Sequence, residues 1–299
     1  MKTEAVESFF GWINERHAIY QRRINEKSAP WTEDPILREY KFTNPFREND
    51  RVTVWMRRNW TLPSLSNEEL VFNCCLFRMI GTIGFAQQHG LVLENLGWDP
   101  QETKQLIEKR LAEKKSTFTG AYIITNQGIK APKSEVVIDH FLRPVWGNRK
   151  RLTEKIMGNK SCGLQNAHQE LMKYKGFGGG GFMAYEVVTD LFYTKVLANA
   201  GDRYLWANAG PGAKRGLNRI HDRPLKQSIK ETNCQQEMRK LLEVASDYIK
   251  DHINIDDVDM RCIEHSLCEW DKYERVRLDQ GRPRSKFNPK AYLEKGAVT

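Results

Sequence analysis

Three stretches of the chain concentrate side chains able to do chemistry. The first, Lys173-Tyr-Lys-Gly-Phe-Gly-Gly-Gly-Gly-Phe-Met-Ala-Tyr-Glu-Val-Val-Thr-Asp190, sets a glycine-rich turn between two helical patterns. Without Cβ atoms at Gly176, Gly178 and Gly179, backbone N–H groups there can approach an anion at a helix N-terminus. A flexible loop is the alternative. No Gly-Lys-Ser/Thr follows the run, so it is not a Walker A motif and does not point to an ATP-driven kinase.

The second stretch, Trp31 to Arg51, crowds aromatic, Asn, Arg and Asp residues into a region that breaks at Pro35 and Pro45. Irregular backbone of this kind aims polar side chains at a pocket. Arg47 and Arg51 could clamp a phosphate, and Asn44 could read a base edge. Alternatively, Asp50 caps the next helix and pairs with an arginine. The third stretch is Met260 to Arg275. Met260, Ile263, Leu267 and Trp270 form a buried stripe. Glu264, Cys268 and Asp271 follow at i, i+4 and i+7 on a neighbouring face, with Lys272 adjacent. Such a face suits proton transfer to or from an amine, or a structural salt-bridge network. Cys262, His265 and Cys268 have metal-like spacing, but on a helix those steps turn progressively away from one face, with no fourth ligand nearby.

The elements that must position these groups are helical almost throughout. Helical patterns cover 5–25, a short segment opened by Asp34-Pro35, and a helix around 50–59. A capping box, Ser66 with Glu69, opens a long apolar helix ending near Gly90, and Asp99-Pro100 begins another. Helices resume near 134–145, 164–174, 182–199, 235–252 and 257–274. Only Ala121–Thr125, followed by Asn126-Gln-Gly128, reads as a strand with a turn. The tail from 275 carries Arg277, Arg282, Arg284, Lys286 and Lys290, which suits an extended segment on phosphates or a solvated tail. The fold expected is mainly α, with at most a small β-hairpin. One helical catalytic domain spans 1–299, or two lobes of about 1–130 and 131–274 with the basic tail 275–299.

Composition is that of a soluble globular chain: 299 residues, 40% hydrophobic and 28% charged. Net charge is +9, which favours a polyanionic partner. The six cysteines, Cys162 among them, show neither disulfide density nor paired spacing. No apolar run is long enough for a membrane helix, and no signal peptide is visible, so a cytoplasmic protein (of a host cell, if phage-encoded) without membrane association is expected.

The glycine-rich segment resembles the helix-hairpin-helix of base-excision DNA glycosylases, with Gly176-Phe177-Gly178 as the turn holding the DNA backbone. Ala209-Gly-Pro-Gly-Ala-Lys-Arg-Gly-Leu-Asn-Arg219 is similar to the stretch that carries their catalytic aspartate. The position matching that aspartate is Gly210, which cannot stabilise a sugar cation. The resemblance implies a glycosylase-like architecture without that mechanism of base removal.

Taken together, WINERHAIYQRR, PWTEDPILREYKFTNPFRENDRV, GFGGGGFMAYEVVTDL, GPGAKRGLNR and EHSLCEWDKYER resemble the α-glutamyl/putrescinyl-thymine pyrophosphorylases, the amino acid:DNA transferases of phage thymidine hypermodification. They are also similar to the helical domain of 5-hydroxymethyluracil DNA kinases. The resemblance runs from Trp12 to Arg275 and implies a bacteriophage DNA-modification enzyme. Its substrate would be double-stranded DNA carrying 5-(pyro)phosphomethyl-deoxyuridine, made by an upstream 5-hydroxymethyluracil DNA kinase. An amine from a free amino acid or polyamine would replace the (pyro)phosphate.

Such chemistry requires the base to leave the stack, with Tyr40, Phe42 or Tyr185 as stacking candidates. Arg47, Arg51, Lys214 and Arg215, with Arg219 and Lys272, are the cationic candidates for DNA and leaving group. Glu186, Asp190 and Glu264 are the candidate bases. No cofactor is required, although a divalent metal could accompany pyrophosphate. The competing expectations are a non-catalytic DNA-binding module partnering a 5-hydroxymethyluracil DNA kinase, and a glycosylase-like base-directed enzyme.

Overall fold

The structure is a computed structural model that describes residues 1–25, 28–158 and 163–289; Cys162 and Lys290 lie outside them. In chain order the helices are α1 (Thr3–Asn25), α2 (Pro35–Glu39), α3 (Arg51–Asn59), α4 (Asn67–Ile80), α5 (Ile83–His89) and α6 (Pro100–Ala112). A short turn, α7 (Lys133–Glu135), continues through a π-helical stretch, Val136–Leu142, into α8 (Arg143–Gly147). Then follow α9 (Arg149–Met157), α10 (Leu164–Met172), α11 (Phe182–Leu191), α12 (Pro211–Ile220), α13 (Glu231–Glu243) and α14 (Met260–Arg277). The chain is mainly helical, as its patterning predicts.

Local chemistry sets the helix starts. Asp34 accepts from the N–H groups of Ile36 and Leu37 while Pro35 fills the first helical position. Asp99 does the same for Gln101 and Glu102. Ser66 and Glu69 exchange both hydrogen bonds of the capping box at 3.2 and 2.6 Å.

Four expectations need correction. The apolar helix after Ser66 does not run to Gly90. It stops at Gly81, which takes φ +76°, and α5 restarts behind the Thr82 cap. A Cβ at Gly81 would sit 2.8 Å from a Thr119 methyl, so that position demands glycine twice over. The helix expected over 182–199 ends at Leu191, where the Thr194 hydroxyl donates to the Leu191 carbonyl at 2.7 Å and the chain goes on in turns.

No strand forms at 121–125. Tyr122 instead folds inward to donate to the Arg78 carbonyl at 2.8 Å, and no partner strand pairs with the segment. Among the described residues the β pairs are isolated bridges, Tyr40 with Lys286 and Leu93 with Gly97. The helix expected over 235–252 ends at Glu243, after which the chain goes on in short turns. The described part of the basic tail is mostly exposed, and its middle runs along residues 39–41. Ser285 and Phe287 hydrogen-bond the backbone at Lys41 and Glu39, and Lys286 pairs with Glu39 at 2.9 Å. Arg282 and Arg284 stay exposed.

The chain divides into two compact units: Met1–Val54 with Arg203–Thr299, and Trp55–Asp202. Residue 130, where the sequence suggested a cut between lobes, lies inside the second unit. In the first unit, α14 is the central element, packed by α1, α2, α12 and α13. Its stripe of Met260, Ile263, Leu267 and Trp270 is buried, and Phe9 meets Trp270 edge-on at 5.7 Å. Helices α12 and α14 approach closely because of Gly212 and Gly216, one turn apart. A Cβ at Gly212 would strike the Cys268 thiol, and one at Gly216 would lie 2.6 Å from the Leu267 carbonyl oxygen.

In the second unit α4 packs on α9 and α11, and α10 packs on α11 across the glycine-rich turn. No described helix is long and apolar enough to cross a membrane.

Candidate functional site

The expected site residues fall into the two units. Gly176, Gly178, Gly179, Tyr185, Glu186 and Asp190 belong to the second, and Asn44, Arg47, Arg51, Lys214, Arg215, Arg219, Glu264 and Lys272 to the first.

In the second unit, Glu186 and Asp190 stand one turn apart on α11 and grip one buried cation, Arg78 of α4. Arg78 donates from Nε and Nη2 to the two Asp190 oxygens, both at 2.5 Å, and Nη1 lies 3.0 Å from Glu186. The three side chains are almost fully buried. Burial alone would lower the Arg78 pKa, but the charges of Asp190 and Glu186 outweigh it and raise it further. The triad places two carboxyl groups on one guanidinium in a desolvated site. That arrangement is costly to break and holds α4 to α11. Asp190 is therefore engaged bidentately in packing and is not aimed at a pocket.

Tyr185 is buried, edge-on to His168 at 6.4 Å, and cannot stack on an incoming base in this state. The glycine turn is laced from behind. Gly176 has φ +92°, and a Cβ there would collide with the Phe141 ring at 2.5 Å. Its N–H donates to Gln127 Oε1 at 3.1 Å. Gly178 lies against the Met172 carbonyl, whereas Gly179 is exposed, with open space where a Cβ would stand.

In the first unit, Asn44 is buried. Its side-chain amide donates to the Asn49 carbonyl at 3.0 Å and to Asp50 Oδ1 at 3.0 Å, so both amide hydrogens serve the local turn and not a base edge. Asp50 thus braces Asn44. Arg47 is half-buried and Arg51 exposed. Tyr40 and Phe42, the other stacking candidates, are buried. Phe42 lies under the Lys272 ammonium, 4.8 Å from the ring centre. Lys272 also pairs with Glu269 at 2.7 Å. Burial would raise the Glu269 pKa, but Lys272, His265 and the Thr43 N–H hold it below the usual carboxylate value.

The first unit does assemble a chemically directed set on α12 and α14. Gly210 is the N-cap of α12, and its N–H donates to Glu264 Oε1 at 3.2 Å. Glu264 comes from α14 and is mostly buried. Its carboxylate thus sits at the positive end of α12, beside the glycine where the sequence comparison placed a missing acid. One turn further along α14, burial and the Glu269 and Glu264 carboxylates push the Cys268 thiol up to about 12, so it is no thiolate nucleophile at neutral pH.

Next on that face is Asp271, fully buried, which accepts from Arg215 Nε at 2.8 Å and Arg219 Nε at 2.9 Å. Arg275 Nε lies 3.6 Å away. Three guanidinium groups around one carboxylate leave a local surplus of positive charge. The Arg215 and Arg275 side chains remain about a third exposed. Lys214, also on α12, reaches Glu231 at 3.6 Å. The sequence pointed to Arg215 and Arg219. Arg275 was missed as their neighbour, although its i+4 spacing from Asp271 could have found it.

Comparison with known proteins adds an independent line. The family model described as the helical domain of 5-hmdU DNA kinase matches residues 3–282. A 5-hmdU DNA kinase of Bacillus phage SP10 is 26% identical over 232 residues, covering 72% of this chain and 36% of that protein. The chain therefore spans little more than a third of the length of this curated relative. No solved structure matches the chain.

Proposed function

We propose that this chain, which belongs to the family of the helical domain of 5-hmdU DNA kinases, is a DNA base-modifying transferase of thymidine hypermodification. Its substrate is 5-(pyro)phosphomethyl-deoxyuridine in duplex DNA, and its second substrate an amine of an amino acid or polyamine. The fold would be glycosylase-like, with α10, the glycine turn and α11 as a helix-hairpin-helix on the DNA backbone. The observation that carries the reading is the Glu264 carboxylate held at the Gly210 N–H, on the same face of α14 as Asp271 with its arginine cluster, about two turns away.

The amine nitrogen attacks the exocyclic methylene carbon and a C–N bond forms. The C–O bond breaks, its electron pair leaving on pyrophosphate. Arg215, Arg219 and Arg275 stabilise that growing charge. Glu264 takes the proton that the new ammonium sheds. The base stays on its sugar, which accords with glycine, not aspartate, at position 210. A divalent ion could accompany the pyrophosphate.

The test is pyrophosphate release from duplex DNA carrying 5-pyrophosphomethyl-deoxyuridine. Release that begins only when an amino acid or polyamine is added supports the transferase. Release that is indifferent to every amine, or abasic sites in the DNA, overturns it.

A second reading, a DNA-binding module acting beside a 5-hmdU DNA kinase, is favoured by one observation: the match is to a helical domain and covers 36% of the kinase. It predicts DNA retention with no change in any nucleoside.

A further inference from the structure

An amine donor reaches the protein at neutral pH as an ammonium ion, with no lone pair to attack carbon. It must lose a proton before the C–N bond forms, whereas Glu264 takes the proton that leaves afterwards. We propose, on the reading of this chain as an amine transferase, that Thr43 and His265 form a proton relay that removes the first. His265 follows Glu264 on α14, and its Nε2 is hydrogen-bonded to the Thr43 hydroxyl at 2.7 Å. Thr43 is held in place by its own N–H, which donates to Glu269 Oε2 at 2.8 Å, and Lys272 secures Glu269 at 2.7 Å. All five residues belong to the first unit, and Thr43 and His265 are half-buried, within reach of a substrate.

Glu264 and the relay flank one accessible strip of α14. His265, Cys268, Lys272 and Arg275 recur there at steps of three and four and are half-buried, while Glu264, Glu269 and Asp271 beside them are buried. Gly210 and Gly212, at the start of α12, border the strip at Glu264 and Cys268. Phe42 and Thr43 border it at Lys272 and His265. Cys268 stands between the two bases, three residues from His265 and four from Glu264, and its thiol feels both the Glu269 and the Glu264 carboxylates.

The surrounding charges favour a proton on the ring. Glu269 interacts with His265 strongly enough for His265 to help hold its carboxyl ionised, and an ionised carboxylate beside the ring stabilises an imidazolium. The nearby cations are already engaged: Arg261, one turn back, by Asp259 at 2.8 Å, Lys272 by Glu269, and Arg215 of α12 by Asp271. From the segment before α3, Glu48 bears on Cys262, on the turn before His265. In the relay an ammonium proton passes to Thr43 Oγ1 as the proton of that hydroxyl passes to His265 Nε2. The amine is left neutral, with its lone pair free for the methylene carbon, and the ring becomes imidazolium beside Glu269. Glu264 takes the second proton once the C–N bond has formed, so neither base has to carry both.

The test compares amines that need the relay with one that does not. Pyrophosphate release from duplex DNA carrying 5-pyrophosphomethyl-deoxyuridine is timed for the full chain and for His265→Gln, Thr43→Val and Thr43→Ser. A mixture of amino acids and polyamines supplies ammonium donors, and methoxyamine supplies an amine already neutral at neutral pH. His265→Gln and Thr43→Val should slow release with the ammonium donors by roughly 10²-fold or more, and that loss should shrink by about tenfold or more with methoxyamine. Thr43→Ser, which keeps the hydroxyl, should restore most of the rate. With rising pH the wild type should level off above about pH 7, where histidine is neutral, while His265→Gln goes on climbing because only amine that is already neutral can react. An equal loss with both kinds of amine means that the pair only positions or packs, and overturns the relay; so does no loss with either. Should His265→Gln fail to fold, Thr43→Val, which leaves α14 unaltered, decides by the same comparison. A wild type that releases no pyrophosphate with any amine overturns the transferase, and the relay with it.

Discussion

Glu264 Oε1 accepts from the Gly210 N–H at 3.2 Å, and a methyl group built on Gly210 would stand 3.6 Å from that same oxygen. A carboxylate delivered from α14 thus occupies the neighbourhood that a side chain at the α12 N-cap would otherwise fill. Glu264→Gln keeps an acceptor for the N–H but no proton acceptor of carboxylate strength. It should lower amine transfer by roughly 10²–10⁴-fold with little change in thermal unfolding. Single-turnover kinetics together with a melting curve check this. A rate close to wild type would remove Glu264 from the chemistry.

Arg78 should matter for stability before catalysis. Arg78→Met leaves Glu186 and Asp190 buried without a cation and should cost about 3–5 kcal/mol. Replacing all three by apolar residues of similar volume should recover most of the loss. Urea unfolding of the single and triple variants measures both. A loss below about 1 kcal/mol would mean the triad is solvated and weak.

The glycines between α12 and α14 give a test with a sign. Helix propensity alone would make Gly216→Ala stabilising by about 1 kcal/mol. The Leu267 carbonyl oxygen, 2.6 Å from the new Cβ, makes it destabilising instead, by about 1–3 kcal/mol. For Gly212→Ala the obstruction is the Cys268 thiol, so Cys268→Ala should rescue it in a double-mutant cycle. A stabilised Gly216→Ala would contradict the close approach of the two helices.

His17 sets a pH dependence. Burial first, then the charges of His252 and Arg16, lower its pKa from 6.5 to about 4. Between those values the unfolded chain binds a proton that the folded chain refuses, so this contribution to stability is full above pH 6.5 and is lost as pH falls to about 4. His17→Phe should flatten the slope of unfolding free energy against pH in that window, and leave it unchanged above. An unaltered slope would mean the ring is solvated.

The local features of the fold were legible in the sequence, and the long-range ones were not. The Asp34, Ser66 and Asp99 caps and the α14 stripe follow from bonds made within one or two turns. The break at Gly81 depends on Thr119 and Tyr122, far along the chain, so an uninterrupted apolar run concealed it. Ile123 and Ile124 read as strand because β-branched residues favour pleated surfaces, yet a strand needs a partner and none pairs there.

The same limit divides the candidate site. Glu186 and Asp190 have the i, i+4 spacing of a catalytic pair, but Arg78 lies 112 residues from Asp190, and no local pattern announces that partner. Asn44 offered a base-reading amide, and its engagement with Asn49 and Asp50 was visible only in three dimensions. Arg215 and Arg219 were legible as basic residues in the segment similar to the glycosylase stretch, but their shared partner Asp271, 56 and 52 residues away on α14, was not.

The most direct measurement is the mass of the nucleosides left after the chain acts. Duplex DNA carrying 5-pyrophosphomethyl-deoxyuridine is incubated with the protein and a mixture of amino acids and polyamines, then digested and weighed. The account predicts a thymidine derivative heavier by one specific amine, in step with released pyrophosphate. Unchanged nucleosides from DNA that the protein demonstrably binds would contradict it.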